Sequence, residues 1–84
     1  MSNLPAATID NTVRALIAEQ LGIELDDVKD NSNIITDLNA DSLDVIELVI
    51  SLEELFALEI PDHEAERLAT PLQVIEYIQS KVVR

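Results

Sequence analysis

Ser42, in the stretch DLNADSLDVIEL at residues 37–48, is the residue whose surroundings most invite a chemical role. A serine nucleophile needs a base within hydrogen-bond reach. The single histidine, His63, sits in the acidic run PDHEAE, and no nucleophile elbow surrounds Ser42. A catalytic serine is therefore a poor reading of this pattern. The plainer role is structural: Asp41 can accept a bond from an early backbone N–H of a helix, and a serine in a first helical turn is ordinary.

The same acids raise the possibility of a calcium loop, because DLNADS matches the first half of the EF-hand pattern. The sixth position, where that loop needs glycine, is Ser42, and the twelfth, where it needs a bidentate glutamate, is Leu48. The match fails at its two defining positions, which leaves no specific metal site. With no cysteine in the chain, disulfides, thiolate metal sites and a cysteine nucleophile are excluded. Any thiol chemistry must come from outside the polypeptide.

The elements that hold Ser42 follow from composition. At 84 residues, 48% apolar and 26% charged, the chain is expected to form one modest domain. Phe56 and Tyr77 are its only aromatics, so the core must be aliphatic, and one glycine is too few for a sandwich or barrel. A helical bundle is the remaining architecture. The N-terminus lacks a basic region followed by an apolar run, and no stretch reaches the roughly 18 apolar residues of a membrane span. These features predict a cytoplasmic protein. A net charge of −12 argues against nucleic acid and anionic membranes and favours basic protein surfaces as partners.

Residues 1–7 read as a loose lead-in. Thr8 is expected to cap a helix over 9–21 with Ile9, Val13, Leu16 and Ile17 inward, closed by Gly22. Residues 23–40 read as a long loop with a short turn at 26–28, tied to the core by Ile34, Ile35 and Leu38. A second helix is expected from Asp41 or Ser42 to about Leu58. Asp62 is read as the cap of a short helix reaching about Leu68. Thr70 as cap, with Pro71 at the first helical position, opens a last helix to about Val82. Its apolar set is Leu72, Val74, Ile75, Ile78 and Val82. The fold class is therefore all-α: a four-helix bundle with three longer helices, a short third helix and a long loop between helices one and two.

The second helix is too apolar for one core face. At about 100° per residue, Val45, Leu48, Val49, Leu52, Leu55 and Phe56 share one arc. Leu43, Ile46 and Ile50 fall on the far arc with Glu47, Glu53 and Glu54, and Asp41 and Asp44 lie beside them. Either the loop or the short helix covers this second patch, or a partner does. As a docking surface it would have an apolar centre and an acidic rim that steers basic partners.

The ordered series D-S-L-D, E-L, E-E-x-F and E-I-P-D, at uninterrupted spacing over residues 41–62, resembles the acyl carrier proteins of dissociated fatty acid synthases, and the likeness runs from the first helix through EQLGI to YI near the end, nearly the whole chain. The resemblance implies a single acyl-carrier domain over 1–84. It implies 4'-phosphopantetheine, taken from coenzyme A by a magnesium-dependent phosphopantetheinyl transferase and attached to Ser42 as a phosphodiester. The thiol of that arm would hold acyl groups as thioesters. By residue match, Asp41, Leu43, Asp44, Ile46, Glu47, Ile50, Glu53 and Glu54 would meet acyl-processing enzymes with basic docking patches. The acyl chain would lie against Leu48, Val49, Leu52, Ile60, Leu68 and Ile75, and the protein would act as a monomer. One departure is Asn39, where the family typically has glycine; asparagine tolerates left-handed dihedrals better than most residues. A carrier for a specialised lipid or polyketide pathway, or an unmodified acidic interaction module, are the alternatives.

Overall fold

The computed structural model describes residues 6–82, and among them the regular elements are all helical. Helix α1 spans Ala6–Leu21. Thr8 therefore lies inside the helix rather than capping it, because Ala6 and Ala7, as strong helix formers, carry the helix past it. Of the expected lead-in, residues 6 and 7 are helical and 1–5 lie outside the described residues. Ile9, Val13 and Ile17, one turn apart, are fully buried, with Leu16 at the margin of the core.

Gly22 ends α1 in the left-handed region at φ 67°. The Ile23 amide returns to the Ala18 carbonyl at 3.0 Å and the Gly22 amide to Glu19 at 3.3 Å, which satisfies two otherwise unpaired helix carbonyls.

The connection to the next helix contains a single 3-10 turn at Leu25–Asp27, one residue earlier than expected. It is fastened by polar bonds as much as by packing. The Arg14 guanidinium takes Asp10 at 2.5 Å, Asp30, and the Val28 carbonyl at 3.0 Å. Asp10 first and Asp30 second raise the pKa of Arg14. Further along, the Ile34 amide donates to the Ala69 carbonyl at 2.8 Å and the Leu72 amide to the Asp30 carbonyl at 3.1 Å. Ile34 and half-buried Leu38 pack inward, but Ile35 is exposed and is not one of the ties. Asn33 Oδ1 accepts from the Ile35 and Thr36 amides, a tight turn that sends adjacent side chains in different directions.

Helix α2 spans Ser42–Phe56, two residues shorter at its end than expected. Ala57 closes it in the left-handed region at φ 55°. Leu48 and Leu52 are its buried residues, with Val45, Val49 and Phe56 packed beside them. Leu55, placed by the wheel on the core side, is 55% exposed.

Helix α3 spans only Asp62–Ala65. Pro61, not Asp62, occupies the N-cap position, without a side-chain bond, and the chain loosens into turns before Leu68. Proline's fixed φ suits a helix start, which leaves Asp62 in the first turn. Helix α4 spans Pro71–Val82. The Gln73 amide donates to Thr70 Oγ1 and the Thr70 amide to Gln73 Oε1, each at 3.2 Å, so the cap is reciprocal. Val74, Ile75 and Ile78 are buried, and α1 packs against both α2 and α4.

Candidate functional site

The start of α2 is defined by Asp41. Its Oδ1 accepts from the Asp44 amide at 2.9 Å, while Asp44 Oδ2 accepts from the Asp41 amide at 3.2 Å. This reciprocal cap places Ser42 at the first helical position with an exposed side chain. The preceding turn depends on Asn39, which adopts φ 63°, the conformation a glycine would take there. The Ala40 amide then bonds the Ile34 carbonyl at 3.0 Å, and buried Ala40 anchors the approach to the helix.

Ser42 stands at the edge of a cleft of about 480 Å³ enclosed by α2, the loop before it and the α3–α4 connection. The α2 wall includes Val45, Leu48, Val49 and Leu52; the opposite side includes Ala65, Leu68, Ala69 and Val74. The polar lining is Asn33, Ser42 and Glu66, with Ile35 and Ile46 among the apolar residues. Of the residues assigned to an acyl wall from the sequence, Leu48, Val49, Leu52 and Leu68 line this cleft. Ile60 instead lines an adjoining hollow of about 520 Å³ with Ile50, Glu53 and Asp62. Ile75 lines neither; it is buried in the bundle core, and its neighbour Val74 faces the cleft. Helical spacing turns adjacent residues about 100° apart, and on α4 this leaves Val74 toward the cleft and Ile75 toward the core.

Val45 could have been assigned to the cleft from the wheel. Ala65 and Ala69 carry no sequence signal, because α3 is too short to show a period. Ile34 and Ile35 belong to a loop whose path is set by its backbone bonds.

On the outer side of α2, Leu43, Ile46 and Ile50 are 60%, 55% and 47% exposed. Neither the loop nor α3 covers them. Asp41, Glu47 and Glu54 are exposed around this patch and Asp44 is half-buried. Glu47 also accepts a bond from Gln20 Nε2 at 2.8 Å. Glu53 differs from the other acids: it is half-buried, and its Oε2 accepts from the Ile60 amide at 2.8 Å.

Behind α3, the Tyr77 hydroxyl donates to Glu64 Oε1. Burial first, then the Glu64 bond and charge, push the Tyr77 phenol up to about 12. The same bond, opposed by burial and helped by Lys81, lowers the Glu64 carboxyl. His63 is exposed on α3, away from Ser42 in the chain. Among the described residues no group of three or more acidic or histidine side chains is arranged to hold a metal, and no helix is long and apolar enough to cross a membrane.

An exposed hydroxyl beside an aliphatic cleft is suited to holding a group there. Comparison with known proteins agrees. The family model described as the phosphopantetheine attachment site matches residues 11–78. An acyl carrier protein from Helicobacter hepaticus is 52% identical over 69 residues, covering 82% of this chain and 91% of the relative. One from Chlamydia muridarum is 50% identical over 74 residues, covering 88% and 96%. The chain belongs to the acyl carrier proteins, which carry acyl groups on 4'-phosphopantetheine and are carriers rather than catalysts.

Proposed function

We propose that Ser42 is the attachment point for 4'-phosphopantetheine and that the chain carries acyl intermediates of fatty acid biosynthesis, as a cytoplasmic monomer. The observation that carries this reading is the double placement of Ser42. It is exposed at the first position of a 15-residue helix and it borders the aliphatic cleft. A phosphodiester at that position gains from the helix N-terminus, where backbone N–H groups and the dipole favour negative charge. Attachment needs no base on this chain, because the transferase that modifies Ser42 supplies the catalysis. When bound, the group contributes a thiol that holds acyl chains as thioesters, which this cysteine-free polypeptide cannot supply itself.

Leu48, Val49, Leu52 and Leu68 offer such a chain an apolar wall at the mouth of which Ser42 stands. Each methylene transferred from water to that wall contributes about 0.8 kcal/mol. The largely hydrocarbon lining favours an unfunctionalised chain over a heavily oxygenated one, which supports the fatty acid pathway over a polyketide one. Asn39 already takes the left-handed turn expected of glycine, so this departure from the family pattern gives no reason to assign a specialised pathway.

Leu43, Ile46 and Ile50, rimmed by Asp41, Asp44, Glu47 and Glu54, form the docking face for the transferase and the acyl-processing enzymes. Acids steer basic patches and the apolar centre provides the contact. Intact mass after incubation with coenzyme A and a phosphopantetheinyl transferase tests the assignment. The expected result is one arm on the unsubstituted chain and none on Ser42→Ala. An unmodified chain, or a modified Ser42→Ala, refutes it.

A further inference from the structure

The acids on the outer face of α2 are held in different ways. Asp41 and Asp44 are committed to the cap of their own helix, and Glu53 to the Ile60 amide. Glu47 is held by a side chain of another helix: Gln20 Nε2 on α1 donates to its Oε1 at 2.8 Å, across 27 residues of sequence. Glu54 is exposed and takes no such bond among the described residues. Gln20 is half-buried in the last turn of α1, a helix whose Ile17 and Ala18 lie in the core and which packs against α2. Folding therefore orders this long side chain before any partner arrives. Its chemistry matters as well. A lysine here would orient the Glu47 carboxylate only by pairing with it and offsetting its charge. A neutral amide leaves that charge whole and occupies one of about four lone-pair sites. The ion pairs among the described residues, Arg14 with Asp10 and Asp30 and His63 with Glu64, do not involve Glu47.

We propose that Gln20 is a positioning residue for partner docking, and that it makes Glu47 the preorganised anchor of the docking face. The inference rests on the docking-face reading given above. Glu47 follows Ile46 in the sequence and lies one helical turn from both Leu43 and Ile50, so a cation bound to it sits beside the exposed apolar contact. A carboxylate already held in place loses little freedom when a partner's lysine or arginine binds it. The benefit then appears in how long the complex lasts. Glu54 has no such restraint and acts through its charge, on the rate of encounter. Two glutamates that look equivalent in the sequence thus have separate tasks.

Binding kinetics on an immobilised phosphopantetheinyl transferase, without coenzyme A so that Ser42 stays unmodified, test this. Gln20→Ala keeps the net charge at −12 and places a strong helix former on α1. Its association rate should match the unsubstituted protein and its dissociation rate should rise about three- to fivefold, the scale of ordering one long side chain. The thermal melt should be nearly unchanged. Glu54→Gln should do the reverse, associating about two- to threefold more slowly at low salt with dissociation unaffected. In a Glu47→Ala background, Gln20→Ala should have no further effect, because the carboxylate it positions is gone. Dissociation unchanged in Gln20→Ala but faster in Glu47→Ala overturns the positioning role. So does a Gln20→Ala effect that persists in the Glu47→Ala background, since Gln20 would then touch the partner itself. Gln20→Ala and Glu54→Gln acting on the same rate overturns the division between the two glutamates. Unchanged binding of Glu47→Ala would instead refute the docking face, and the role of Gln20 with it.

Discussion

Helices α1 and α2 end on the same left-handed turn with different residues, Gly22 at φ 67° and Ala57 at φ 55°. This permits one experiment run in opposite directions. Holding an L-residue in the left-handed helical well costs about 1–2 kcal/mol, which glycine avoids. Glycine's extra freedom in the unfolded chain offsets about 0.4–1 kcal/mol of that relief. Ala57 is exposed, so removing its methyl forfeits little packing. Ala57→Gly should therefore stabilise the fold by about 0.5–1 kcal/mol, which raises Tm by about 2–8 °C in a domain of this size. Gly22→Ala should destabilise by a similar amount. A Cβ built on Gly22 meets nothing within 4 Å, so that loss would be conformational rather than steric. Circular-dichroism melts give the Tm shifts, and urea titration should show the midpoint moving with m unchanged. A neutral or destabilising Ala57→Gly beside a costly Gly22→Ala would refute the claim that Ala57 stores strain.

At the docking face, Ile46→Ala or Glu47→Lys should weaken transferase or partner-enzyme binding about tenfold, as loss of a central contact of roughly 1–2 kcal/mol does, with the melt of the free protein nearly unchanged; normal affinity in both variants counts against the face. Tyr77 is the chain's only tyrosine and tryptophan is absent, so ultraviolet absorbance reads its ionisation alone. Its folded pKa near 12 exceeds the ordinary value of 10, so folding favours the protonated phenol. That contribution to stability is complete below pH 10 and disappears as pH rises through about 12. Glu64→Gln should move the midpoint downward. A midpoint at the ordinary value, in protein that circular dichroism shows still folded, would contradict the buried, bonded phenol.

Much of this architecture is legible in the sequence where a local rule and a global need coincide. Thr70 and Pro71 announce α4, and the cap forms with Gln73 as its reciprocal partner. Gly22 stops α1 because no other residue type takes that turn so freely. The wheel of α2 finds the uncovered patch because three large apolar residues cannot all share the core stripe. It misplaces Leu55 because a wheel gives an angle and not what lies opposite. In the last turn of α2 the core-side angle leads to a residue 55% exposed. Ile35 fails similarly: in a tight turn its apolar character says nothing about direction.

Glu53 marks the deeper limit. By type and angle it belongs with Glu47 and Glu54, and only the backbone path from α2 into α3 brings an amide seven residues later onto its carboxylate. The same geometry shows that the outer face of α2 is not uniform. Ile46 borders the cleft that Ser42 borders, Ile50 borders only the adjoining hollow, and Leu43 borders neither. On the proposed docking face, a partner seated on Ile46 would therefore press on the rim of the cleft, whereas one seated on Leu43 would not. Truncating Leu43 should perturb docking alone, and truncating Ile46 should perturb docking and the cleft together. Any difference between those two variants in the protection of an octanoyl thioester from hydroxylamine, measured without a partner present, isolates the contribution of the rim.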